Sequence, residues 1–196
     1  MAAFEVRLRA GETGNWAALR QRTTLDGDPG RIRAGDNQAN LARIVALRGV
    51  RQLALPEMIT LSPKLSIMRA EITCDLFKQV MEGYEITGHN ADRLKALLDN
   101  PKAAVTALNY VSLLDAREFG KRLSDQTDRN FRVQTEDEWL QARDQLSGNN
   151  WTCTETPHEN YPDRIVLRHL DFDYRDFSYP EIRYSCNAVR LVEDLQ

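Results

Sequence analysis

Cysteine and histidine are scarce. Cys74, Cys153 and Cys186 stand far apart in 196 residues, with no CxxC pair. That excludes a disulfide framework and offers no zinc or dithiol redox spacing. The three read as buried or half-buried thiols. His89, His158 and His169 complete the histidines, again without metal-ligand spacing. Long apolar runs are missing too: none approaches a bilayer span, and the first residues carry no apolar signal core. The expectation is a cytoplasmic protein with no membrane partner. Charge of one sign is also lacking, since the formal net charge is -3, and no general basic field points to nucleic acid. The charge is uneven, however. Residues 1–51 hold nine arginines and no lysine against five acids, while residues 155–196 hold nine acids against five arginines. Such ends read as solvated or paired within one molecule.

What is present suits a folded domain of ordinary make-up, with 42% hydrophobic and 28% charged residues, long enough to bury a core without staples. Phe4, Val6 and Leu8 alternate with Glu5, Arg7 and Arg9, as in a half-buried strand. Residues 23–40 read as a loop with a turn at Asp28-Pro29-Gly30, and Leu41 to Leu55 is open between helix and strand. Leu65 to Ile72 predicts a strand. Thr73 caps a helix through Leu76, Phe77, Val80 and Met81, and Asp92 to Leu98 adds another helical stretch before Asn100-Pro101. Ser112 caps a helix whose Leu113, Ala116, Phe119 and Leu123 form an inward stripe. Thr135 and Glu138 make a capping box for a helix carrying Trp139, Ala142 and Leu146. Arg164 to Arg168 and Ala188 to Val192 are short β-rich runs. The order implies an α+β domain rather than a doubly wound sheet.

Two motifs narrow this further. Phe131-Arg132-Val133-Gln134-Thr135-Glu136-Asp137-Glu138-Trp139 and Gly148-Asn149-Asn150-Trp151-Thr152-Cys153-Thr154 resemble the "RLPTEAEWE … GNVWEWT" signature of the formylglycine-generating-enzyme family. Flanking pieces follow in the family's order. Arg69 to Thr73 resembles "EVT", Ala104 to Tyr110 resembles the "PVVNVSW" strand, Leu114 to Phe119 resembles "WDDAQAYC", and Asn187 to Val192 resembles "IGFRLV". The resemblance implies a C-type-lectin-like fold of short twisted antiparallel sheets with two or three helices. It spans a domain at 61–196, with 1–60 as an N-terminal strand and loop extension packed on it. Trp139 and Trp151 read as core, and Gly148 as a helix exit needing a left-handed backbone.

The resemblance stops short of the chemistry. The family's two catalytic cysteines, whose thiolates bind copper, lie in a loop that here reads His169 to Ser178, with Asp173 and Ser178 near the thiol positions. This implies that formylglycine generation is lost and no cofactor is needed. A matching Asn in the family holds calcium, which makes Asn149 a candidate metal ligand, although Thr152 and Cys153 replace the family's Glu and second Trp.

Two classes of function stand open. One is a non-catalytic module binding a protein or small ligand through a C-terminal loop surface. Its candidate residues are Asp171, Asp173, Tyr174, Arg175, Ser178, Tyr179, Arg183, Tyr184 and Asn187, because tyrosine interleaved with Asp, Ser and Asn suits recognition loops. Phe172 and Phe177 are expected beneath that loop, in the core. Pro180-Glu181-Ile182-Arg183 and the closing Asn187 to Val192 also resemble the end of variable proteins of diversity-generating retroelements. The other class is a metal-dependent enzyme of altered chemistry, using acids such as Asp171, Asp173, Asp176 and Glu181.

Overall fold

The computed structural model describes residues 53–195. The expected strand at Phe4 to Arg9, the loop at 23–40 and most of Leu41 to Leu55 lie outside them. Along the described chain the elements are β1 (Met58–Ser62), β2 (Leu65–Met68), α1 (Cys74–Val80), α2 (Ala91–Asp99), α3 (Leu113–Thr127), β3 (Phe131–Val133), α4 (Glu136–Ala142), β4 (Trp151–His158), β5 (Tyr161–His169), β6 (Phe172–Ser178), β7 (Asn187–Ala188) and β8 (Leu191–Asp194). Short 3-10 turns occupy Pro101–Ala103 and Arg143–Gln145. The class is α+β, with four helices among the described residues rather than two or three.

Three helices start where the side chains demand. Thr73 accepts from the Leu76 amide, and Ser112 with Asp115 and Thr135 with Glu138 both close reciprocal capping boxes. The apolar stripe of α3 lies in the main core, where Phe119 stacks on Phe77 of α1 at 5.6 Å between ring centroids.

Two four-stranded sheets frame this core, in the orders β1-β2-β8-β3 and β6-β5-β4-β7. The first is antiparallel throughout. The second joins β4 to β7 in parallel, which corrects the all-antiparallel expectation. Strand β8 lies between β2 and β3 and is covered on both faces, since Leu191 points into the main core and Val192 into a smaller one with Ile59, Ile67 and Ala142. One-residue alternation sends neighbouring side chains to opposite faces.

Strand β2 ends at Met68, short of Ile72, because Ile72 bonds elsewhere: its amide donates to the Val189 carbonyl and its own carbonyl accepts from Leu108. Ala104 to Tyr110, expected as a strand, makes a single bridge, Thr73 to Ala107, before Tyr110 turns to φ +58°. The expected loop at His169 to Ser178 is largely strand β6, hydrogen-bonded along β5.

Arg190 straps this frame together from inside. Its fully buried guanidinium donates to the carbonyls of Met68, Arg69 and Ser147. Burial lowers its pKa to about 10, so it stays charged at neutral pH. Beside it, the Glu71 carboxylate accepts from the Asn150 amide at 3.0 Å and Asn150 Nδ2 at 2.9 Å. Gly148 (φ +138°) passes so close that a Cβ there would lie 2.6 Å from that carboxylate. Gly148→Ala should therefore cost about 2 kcal/mol or more. Gly83→Ala, at φ +74° with nothing within 4 Å, should cost about 1 kcal/mol. Urea denaturation of the two variants compares them, and equal losses would refute the close approach at Glu71.

Candidate functional site

The second sheet is a meander that places most of the candidate residues. Strands β4 and β5 are joined by Glu159-Asn160, and β5 and β6 by Leu170-Asp171. Each turn is preceded by a histidine whose Nδ1 accepts the amide of the second turn residue, His158 from Asn160 at 3.2 Å and His169 from Asp171 at 3.1 Å. His169 Nε2 lies 3.3 Å from the Asn149 carbonyl. Accepting at Nδ1 and donating at Nε2 defines one neutral tautomer for His169.

Strand β6 is the open edge, and its alternation divides the candidate residues between two faces. Phe172 and Tyr174 turn toward Trp151 of β4. Trp151 stacks on Phe172 at 5.7 Å and meets Tyr174 at 5.5 Å, and His169 lies 4.7 Å from Phe172. Asp173 and Arg175 turn toward α4 and the turn after it. Arg175 clasps the buried Glu136 carboxylate through Nε at 2.7 Å and through Nη2, and Arg168 stands 3.3 Å away as an ion pair without hydrogen-bond alignment. Asp173 pairs with Arg143 at 2.6 Å. Asp171 is exposed at the turn.

Beyond the cover of α4, the Arg175 face carries Phe177, with Arg164 of β5 over it, and Tyr161 and Tyr179 alongside. The Phe177 amide is taken by the Asp176 carboxylate at 2.8 Å, which blunts the edge against strand addition.

Three candidates lie inside the fold and not on its surface. Ser178 is buried, its hydroxyl donating to the Tyr179 carbonyl at 3.1 Å. Asn187 is fully buried in β7. Arg183 is a strut: Nε and Nη2 each lie 2.7 Å from an oxygen of Asp115, and Nη1 donates to the carbonyls of Thr87 and His89. Tyr84 and Ser112 also donate to Asp115. Tyr184, next in sequence after Arg183, remains at the surface, edge-on to His89.

The sequence does not single out Arg164, and it places Phe172 and Phe177 in the core. Phe172 is 42% and Phe177 38% exposed, against the expectation of a core position. The usable signal was the alternation of Phe172 and Tyr174 with Asp173 and Arg175, a strand pattern within a presumed loop.

None of the thiols is activated. Burial raises all three, taking Cys153 up to about 12 and acting on Cys74 and on the surface thiol of Cys186. Asn149 is exposed, and no group of three or more His, Cys, Asp or Glu among the described residues is placed to hold a metal ion. No helix there is long and apolar enough to cross a membrane.

No protein-family model matches the chain, and no curated protein matches it significantly. Solved structures do. CarF superposes with a TM-score of 0.51 at 16% identity, over 67% of this chain and 87% of CarF. PvdO from Pseudomonas aeruginosa gives a TM-score of 0.51 at 10% identity, over 67% of this chain and 80% of PvdO. The fold is C-type-lectin-like, that of proteins related to formylglycine-generating enzymes. The Treponema denticola variable protein 1 gives 0.49 at 16% identity, over 66% and 84% of the two chains. Likeness at these identities extends to the C-type-lectin-like fold and no further.

Burial alone would raise the Asp115 carboxyl, but hydrogen bonds from Arg183 and Ser112 hold it below the usual carboxylate range. Hydrogen bonding from Arg175 does the same for Glu136, against burial. Groups depressed in the folded chain stabilise it fully above their unfolded values, and that stabilisation drains away as the pH falls through the folded ones. The melting temperature should hold level down to about pH 5 and fall below about pH 4. Asp115→Asn should cost about 3 kcal/mol at neutral pH, by leaving Arg183 buried and unpaired, and should flatten the acid limb. An unchanged acid limb in a pH-resolved melting series would show that Asp115 does not carry it.

Proposed function

We propose that the chain is a non-catalytic binding module for a protein or small ligand on a formylglycine-generating-enzyme-like scaffold. Its contact surface is the β5–β6 hairpin and the segment that follows, within 169–187 and with Trp151, Tyr161 and Arg164 added. The observation that carries this reading is the set of large rings left open to solvent on both faces of the anchored hairpin and on the segment after it: Tyr161 46%, Phe172 42%, Tyr174 60%, Phe177 38%, Tyr179 38% and Tyr184 46% exposed. Rigid rings edged by Asp and Arg give contact area at small entropic cost, as binding hot spots do. Ion pairs from Arg175 and Asp173 to α4 and its following turn hold the hairpin in place beforehand.

The raised thiols support the same conclusion, because formylglycine generation needs reactive thiolates where this chain has Asp173 and Ser178. Supplied with copper, oxygen and a cysteine-bearing peptide, the purified chain should yield no aldehyde by mass spectrometry. Aldehyde formation would overturn the non-catalytic reading.

A narrower version is a surface diversified by a retroelement, supported by the resemblance of the chain's closing segments to such variable proteins. The native gene should then lie near a reverse transcriptase gene and an adenine-rich near-copy of the codons for the exposed hairpin. A complete genome lacking both removes this version.

A further inference from the structure

Among the described arginines, Arg93, Arg164 and Arg190 form no ion pair. Arg93 is an exposed residue of α2, and Arg190 is buried in the core with both Nη atoms donating to backbone carbonyls, out of reach of a partner. Arg164 is different. Its guanidinium carbon lies 4.6 Å from the Tyr161 ring centroid, 4.7 Å from Phe177 and 4.9 Å from Tyr179. Three rings thus hold a charge that no carboxylate among the described residues answers. Among the described residues, its hydrogen bond runs from Nη2 to the Tyr179 hydroxyl at 3.1 Å, while Nε is buried without a partner. A guanidinium has five N–H donors in a rigid fork, and most of the Arg164 fork is unused.

We infer that Arg164 is the docking point for a single carboxylate, an Asp or Glu side chain set among apolar residues of a partner protein. This rests on the binding-module reading and names the partner chemistry of that surface. With Nε buried, a planar carboxylate would meet the two Nη atoms bidentately, and the ring frame removes most of the rotamer entropy that such a bond would otherwise cost. The flanking rings suit apolar neighbours of that carboxylate, and arginine with tyrosine is typical hot-spot composition. Polyanions are a poor fit, because residues 155–196 carry nine acids against five arginines and repel a multiply charged ligand. Asp176 already occupies the Phe177 amide, so the partner is read through side chains and not by extension of the sheet.

The test is selection of a displayed random heptapeptide library on the immobilised full chain. Enriched peptides should carry Asp or Glu beside aromatic or aliphatic residues. Their affinity should fall about tenfold or more with Arg164→Gln, and equally when the peptide's own acid is changed to its amide. The peptide change leaves the protein untouched, so a folding defect in Arg164→Gln cannot imitate the result. Peptides without acids, indifferent to Arg164→Gln yet lost with Tyr161→Ser or Phe177→Ser, would overturn the carboxylate and leave the binding surface standing. Failure to enrich any peptide on that surface would overturn the carboxylate docking point and, with it, the protein-binding form of the reading.

Discussion

The ion pair between Asp115 and Arg183 is the constraint on which the C-terminal half depends. Asp115 closes the capping box of α3, and its remaining capacity reaches Arg183 and Tyr84. Arg183 in turn fills the carbonyls of Thr87 and His89. One buried pair therefore ties the start of the longest helix, the loop before α2 and the segment leading into β7. An unpaired charge in that place would cost several times what the pair contributes, so the three segments are held in a single arrangement.

With that segment fixed, β7 lies parallel to β4, and the second sheet gains a covered edge on one side while β6 keeps the open edge on the other. Glu136 anchors the open side to α4 through Arg175. The hairpin is thus fastened by charges on one face, while rings on both faces reach solvent. A rigid support under exposed rings is the feature on which the proposed binding surface rests.

Local signals were easy to read. Thr73, Ser112 and Thr135 start helices where their hydroxyls meet orphan amides, and the spacing of Leu113, Ala116, Phe119 and Leu123 shows which face of α3 is inward. Resemblance of short motifs led to the C-type-lectin-like fold. The candidate surface was legible only in part. Tyr174, Tyr179 and Tyr184 are exposed as expected. Arg183 was read as a surface group because arginine usually is one, and its carboxylate partner is 68 residues away in sequence. Phe172 and Phe177 were assigned to the core because they are large and apolar, yet an edge strand offers them no second layer.

By itself, then, the sequence determined the capped helices, the inward stripes, the class of fold and the absence of cysteine from residues 169–178, because each depends on residues a few positions apart or on simple composition. Only the tertiary structure decided which arginines are struts, that Arg164 is framed by three rings, which rings reach solvent, and that β7 runs parallel to β4. Those outcomes depend on which distant segments meet, and nothing local distinguishes a guanidinium facing a buried carboxylate from one framed by three exposed rings.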